Sequence, residues 1–216
     1  MNRFDYKPAD VEKFRGYIAK YVTPFINEMF EAQRQELGID KLHMYDEYLN
    51  FKEGNPTPQG TAEQMVEWTK QMYRELSPES GEFFDFMAKY ELFDLETKPN
   101  KHMGGYTTSL DKYKAPFIFS NFNGTAADVD VLTHEAGHAF ECYVAQRNQQ
   151  IAEYAFSTSE INEIHSMTME HFAYPWMNLF FGDKTEEYLT SHLIGALCSI
   201  PYLVSVDEFQ HRVYDE

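Results

Sequence analysis

The sequence predicts a mostly α-helical protein with one small β-sheet beside the helix that carries His134-Glu135-Ala136-Gly137-His138. Three observations predict this. Apolar residues recur at the helical period through most of the chain. Capping-box and proline signals mark where those helices begin. β-Branched and aromatic residues gather in one stretch, residues 103–124, that lacks the helical period.

Residues 8–36 read as a long helix. Pro8 suits its first turn, and Val11, Phe14, Ile18, Val22 and Phe25 keep the period. Pro24 predicts a kink and Gly38 a stop. Residues 41–60 read as irregular, with Gly54-Asn55-Pro56-Thr57-Pro58 as a loop. Thr61 opens a helix to about residue 76, Gln64 completing a capping box, and Ser77-Pro78 opens another to about residue 92. These make a helical part over 1–100. Residues 104–110 (GGYTTSL) and 116–122 (PFIFSNF) predict two strands, which either support the next helix or offer an edge to an extended peptide.

The motif helix is predicted over 126–148, after the Asn123-Gly124 turn and capped by Thr125 or Asp128. Val129, Leu132, Ala136, Phe140 and Val144 supply its apolar stripe. Gly137 in mid-helix costs about 1 kcal/mol relative to alanine, so it predicts the close approach of another backbone. Ser157 with Glu160 gives a further capping box, opening a helix to about residue 180 that is interrupted near Pro175. A last helical stretch, 185–216, is expected to break at Pro201. The whole chain, 1–216, reads as a single domain.

Composition narrows the partners. With 18 Lys+Arg against 35 Asp+Glu the net charge is −17, which disfavours nucleic acid and anionic membranes and suits cationic or neutral peptides. No uninterrupted apolar run reaches the roughly 18 residues of a membrane span, and the first residues lack a signal-peptide core. No membrane partner and a cytoplasmic location are the expectations. Cys142 and Cys198 lie in apolar helical patterns and read as buried free thiols rather than a disulfide framework.

Histidines four apart on a helix share a face, so His134 and His138 can reach one metal ion. Glu135 points about 100° away, where it can hold a water as general base. A catalytic zinc site needs a third protein ligand and one open position. Position 144 holds Val144 rather than a histidine, so the ligand comes from elsewhere. Glu160, Glu163, Met167 and Glu170 form one stripe of the following helix, and Ile161, Ile164, Thr168 and Phe172 the better core face. Glu160 and Glu163 both qualify as ligand, the other orienting a ligating histidine, and spacing does not choose between them.

Several stretches resemble oligoendopeptidase F and the thimet-oligopeptidase-like zinc metallopeptidases. They are GGYTT at 104–108, PFIFSNFNGT at 116–125, DVDVLTHEAGHAF at 128–140, EINEIHS at 160–166 and VDEFQH at 206–211. The resemblance implies a zincin-like helical catalytic domain around a deep channel. It implies one zinc ion on His134, His138 and Glu163, with Glu135 as base and Glu160 left as the orienting carboxylate. It implies hydrolysis of internal bonds in short oligopeptides, with Asn121, Phe122 and Gly124 aligning the substrate backbone. Tyr106, His165 and Tyr202 are the candidates for an oxyanion donor. Family members are much longer, so the resemblance also implies truncation at both ends, self-association or a companion segment, and a rival reading as a zinc-binding but catalytically incomplete fragment.

Overall fold

A computed structural model describes residues 5–215. Where the sequence reading expects a single domain, the chain separates into two compact units, Met1–Asn55 with Glu187–Glu216, and Pro56–Glu186.

The first unit begins with α1 (Pro8–Tyr17), a π-helical turn (Ile18–Val22) and α2 (Thr23–Leu37). The helix ends at Gly38, whose φ of 67° is the left-handed cap that glycine adopts without a Cβ penalty. The π turn sits just before Pro24 and inserts an extra residue, which rotates the buried face. After it Ile26 and Leu37 are buried and Phe25 is exposed, although the unbroken period places Phe25 on the stripe. Ile18, where the turn begins, is buried, while Phe14 before it, also placed on the stripe, is exposed. Gln33 holds the following irregular segment by donating to the carbonyls of Asp46, Glu47 and Leu49 at 3.3, 3.0 and 2.8 Å.

Helix α8 (Thr185–Asp215) supplies the rest of the first unit, and Arg15 pairs with its Asp207. It runs through Pro201 without the expected break. Proline removes one donor, and the helix carries on beyond it with the Ser205 hydroxyl bonded to the Pro201 carbonyl at 2.8 Å. The continuous helical stretch Ser159–Tyr214 contains an 18-residue window that length and apolar composition alone would allow to cross a membrane. That window has no buried share, so Tyr202, Leu203 and Phe209 present apolar surface.

The second unit holds α3 (Ala62–Leu76), α4 (Pro78–Lys89), a three-stranded sheet, α5 (Ala127–Asn148), α6 (Ser159–Phe172) and α7 (Met177–Phe181). Both arms of the Thr61–Gln64 capping box form, and Ser77 Oγ accepts from Ser80 N at 3.1 Å. Tyr73, Phe83, Phe84 and Met87 of this helical pair are fully buried, with Tyr73 stacked on Phe84 at 4.9 Å. Helix α4 stops at Lys89, short of the expected residue 92, because Glu91 takes φ 52° and turns the chain into a strand.

That strand, β1 (Phe93–Glu96), is the element the sequence reading missed. β2 (Tyr106–Leu110) and β3 (Ala115–Phe122) are the two it expects. The order is β1-β3-β2, with β3 parallel to β1 and antiparallel to β2. β3 packs on α5 beneath the motif, so β2 is an exposed edge.

Helix α5 starts one residue later than predicted, at an Ala126 N-cap. Neither Thr125 nor Asp128 caps it, because Asp128 instead accepts from Asn123 N and Gly124 N and ties down the preceding turn. Val129, Leu132 and Ala136 are fully buried, while Val144 emerges at the surface. Cys142 is buried without a partner thiol and its pKa is pushed up to about 12 by burial, whereas Cys198 is only half-buried. Helix α6 begins two residues past Ser157, whose hydroxyl pairs with Asn162 rather than closing a box with Glu160. Its core face is also turned from the expected one. Ser166 and Met169 are buried against α5, while Ile161, Ile164 and Phe172 are exposed.

Gly137 explains that rotation. A Cβ built there would lie 2.8 Å from Ser166 Cα and 3.1 Å from the His165 carbonyl oxygen, so the two helices meet backbone to backbone. Replacing Gly137 by alanine adds helix propensity of about 1 kcal/mol but forces main chains apart. A net loss of about 1–3 kcal/mol is expected in urea unfolding followed by circular dichroism. Unchanged or increased stability would show that the contact yields freely.

Candidate metal centre

Helix α5 sets His134 and His138 one turn apart, their ring centroids 4.9 Å from each other at 81°. Helix α6, held close by Gly137, brings Glu163 to both. Glu163 Oε2 lies 3.1 Å from His134 Nε2 and 3.6 Å from His138 Nε2. One ligand atom from each of the three residues falls within 4.8 Å of the others.

His134 is oriented from its far side. Its Nδ1 lies 2.5 Å from Glu170 Oε1. A carboxylate only accepts, so in the neutral ring the proton sits on Nδ1 and the Nε2 lone pair faces Glu163. Ser166 Oγ donates to Glu163 Oε2 at 2.9 Å, which steadies the third ligand atom. The lone pair of His134 Nε2 and the carboxylate oxygen of Glu163 thus face one another with His138 Nε2 beside them, an arrangement that repels unless a proton or cation lies between. Two nitrogens and one oxygen at this spacing suit zinc, and three protein ligands leave a fourth position for solvent or substrate, as catalytic sites do.

Burial works against protonation of His134, but the hydrogen bond and charge of Glu170, with Glu135 and Glu163, outweigh it and raise its pKa. His138 moves the other way, lowered first by burial and then by the neighbouring His134. Glu135 is buried at 8% exposure. Thr107 of β2 lies beside it, its Oγ1 2.7 Å from Glu135 Oε2 and 2.8 Å from the Glu135 carbonyl oxygen. The single hydroxyl proton serves one of these at a time. A cleft of about 440 Å³ opens over the cluster, with Gly105, Tyr106 and Thr107 of the sheet edge on one side and Phe156, Ser159 and Asn162 on the other.

The structure therefore brings together His134, His138, Glu163 and Glu135. It gives the orienting role to Glu170 in place of Glu160, which lies one turn before Glu163 on an exposed part of α6. Glu170 stands seven residues beyond Glu163, two helical turns, and the stripe Glu160-Glu163-Met167-Glu170 contained that signal. Asn121, Phe122 and Gly124 are not among the residues that line the cleft. Asn121 and Phe122 end the central strand β3, Gly124 follows in an exposed turn, and all three are held by bonds within the fold. Asn121 Nδ2 donates to the His102 and Gly104 carbonyls, Thr97 donates to the Phe122 carbonyl, and Gly124 N donates to Asp128. Tyr106 lines the cleft, stacked on Phe119 at 4.9 Å. His165 turns its carbonyl toward Gly137, and Tyr202 lies in the other unit, exposed. Thr107 and Ser166 were missed, since a lone hydroxyl has no periodic signature.

The model of peptidase family M3 matches residues 1–216. A PZ peptidase A solved with an inhibitor is 52% identical, with a TM-score of 0.95 over 99% of this chain and 38% of its own. A provisionally named oligoendopeptidase F from Bacillus anthracis strain Ames is 50% identical, with a TM-score of 0.96 over 99% of this chain and 39% of its own. A provisionally named peptidase from Chlamydophila abortus, 21% identical with a TM-score of 0.72, shares the fold. No curated protein matches the chain significantly. The chain thus spans less than two-fifths of the length of these solved relatives.

Replacing Glu170 by glutamine keeps a hydrogen-bonding group but removes the charge that fixes the His134 proton. Zinc affinity near pH 8 is expected to fall about 10- to 100-fold, read by competition with a chromogenic chelator. Protons compete with metal at His134, whose pKa is raised in the parent. Affinity in the parent should therefore decline on acidification from above the ordinary imidazole value of about 6.5, and in the variant from a lower pH. Identical pH profiles would rule out Glu170 as the residue that holds that proton.

Proposed function

The chain belongs to peptidase family M3, and from that premise we propose that it forms the zinc-binding and proton-transfer part of an endopeptidase that hydrolyses internal bonds of short oligopeptides. The observation that carries this reading is the convergence of His134, His138 and Glu163 beside a buried Glu135 at the foot of an open cleft.

A zinc ion held by these three residues would lower the pKa of a ligated water to about 7 and polarise the scissile carbonyl. Glu135 takes the attacking water's proton and delivers it to the leaving amine. The Thr107 hydroxyl keeps the Glu135 carboxylate aimed into the cleft, and burial limits the carboxylate's other orientations. β2 offers its outer backbone edge to an extended peptide, one of the two roles that the strand reading left open. Alignment of the substrate backbone thus falls to Gly105, Tyr106 and Thr107 rather than to the Asn121–Gly124 segment.

A second reading has its own support in the share of the relatives' length that the chain spans. In that reading the chain binds zinc and remains catalytically incomplete until the rest of the family's length is supplied. A quenched fluorescent oligopeptide separates the two. Chelator-sensitive cleavage supports the first, and one zinc per chain without cleavage supports the second.

Where cleavage is observed, Glu135→Gln should abolish turnover with metal content unchanged. Retained turnover would exclude Glu135 as base. Thr107→Val should lower kcat about tenfold or more with KM little changed, from the loss of a hydrogen bond to a charged group. Thr107→Ser should restore most of the loss. An equal loss in both Thr107 variants would make the methyl packing, and not the hydroxyl, the cause.

A further inference from the structure

One carboxylate in the cleft has no role in metal binding or proton transfer. Glu141 lies one turn of α5 beyond His138 and lines the same cavity as the zinc triad. It is half-buried. Among the described residues it has no hydrogen-bond or ion-pair partner. The nearest compensating group is His165 of α6, which acts on it only at a distance. Burial raises its pKa while His165 opposes that rise.

A carboxylate withdrawn from water without a partner is a standing cost, and a cation arriving with the substrate relieves it. The lining of the cleft is suited to the stem of such a cation. Phe156 is half-exposed there, and Ser159 and Asn162 add polar groups to the same lining. A lysine or arginine side chain can lay its methylenes along the aromatic face while its charged head reaches the carboxylate. The surrounding charge of −17 also favours the approach of basic peptides.

We propose that Glu141 is a specificity-determining residue that makes this cleft prefer peptides with a lysine or arginine side chain next to the scissile bond. The proposal rests on the peptidase reading of the cleft and names the substrate class for it.

The test measures binding rather than turnover. Uncleavable phosphinic pseudopeptides, N-acetylated to remove the α-amine, carry lysine or norleucine in turn on either side of the phosphinic group. They are titrated calorimetrically into the zinc-loaded chain. On one side the lysine ligand should bind about tenfold more tightly than the norleucine ligand, the scale of one charge-assisted hydrogen bond. The preference should shrink as salt rises. In Glu141→Gln the ratio should collapse toward one, and in Glu141→Lys it should invert, with zinc stoichiometry reporting that the triad is intact.

Equal binding of lysine and norleucine ligands on both sides overturns the proposal and leaves the metallopeptidase reading standing. So does a preference that survives in Glu141→Gln. Failure of every phosphinic ligand to bind a zinc-loaded chain overturns the reading of this chain as an endopeptidase by itself, in favour of the incomplete zinc-binding form, and this proposal with it.

Discussion

Three acceptor atoms facing one another across two helices are the constraint on which the site depends. Glu163 Oε2 approaches two imidazole nitrogens whose lone pairs, by the Glu170 contact at least for His134, are turned toward it. A fold that assembled these groups with nothing between them would hold mutual repulsion at its centre. The chain is strongly acidic, and Glu135, Glu163 and Glu170 all bear on His134. A bound cation turns the same arrangement from a liability into a clamp, so metal occupancy and the folding of the second unit are linked.

One hydroxyl joins the edge strand to the motif helix. Thr107 belongs to the edge strand β2, yet its side chain bonds the residue between the two histidine turns. On the proposed function, the strand that would take a peptide is thereby joined to the carboxylate that would move the proton. β3, with a neighbour on each side, serves the opposite purpose. Its end and the turn after it are tied into the loop at 102–104 and into Asp128, which sets where α5 begins.

Much of this was legible before any coordinates. The motif helix, both capping boxes' neighbourhoods and two of three strands follow from local periodicity and turn chemistry. Gly137 announced a close backbone approach because a glycine in mid-helix costs helix propensity and needs a packing reason to be there. The errors share a cause as well. A π turn, invisible to a fixed 3.6-residue period, put Ile26 rather than Phe25 on the buried face. Backbone contact at Gly137 rotated α6, so its most apolar stripe is not its buried one. Four-residue β1 follows directly on a helix rich in phenylalanine, and its pattern is too short to announce a change of structure. Glu170 in place of Glu160 was a choice between turns of one helix, which only the tertiary distance makes.

The bare α-carbon contact between α5 and α6 has one more consequence. Side chains between helices act as a compressible cushion, because rotamers shift to absorb small displacements. Here no such cushion exists at Gly137, and Ser166 Cα lies 2.8 Å from where its Cβ would be. The aperture between the histidine pair and the opposing carboxylate is consequently set by main chain against main chain. An ion entering there would be fitted by the rotamers of Glu163 and the two histidines, with little give from the main chain behind them.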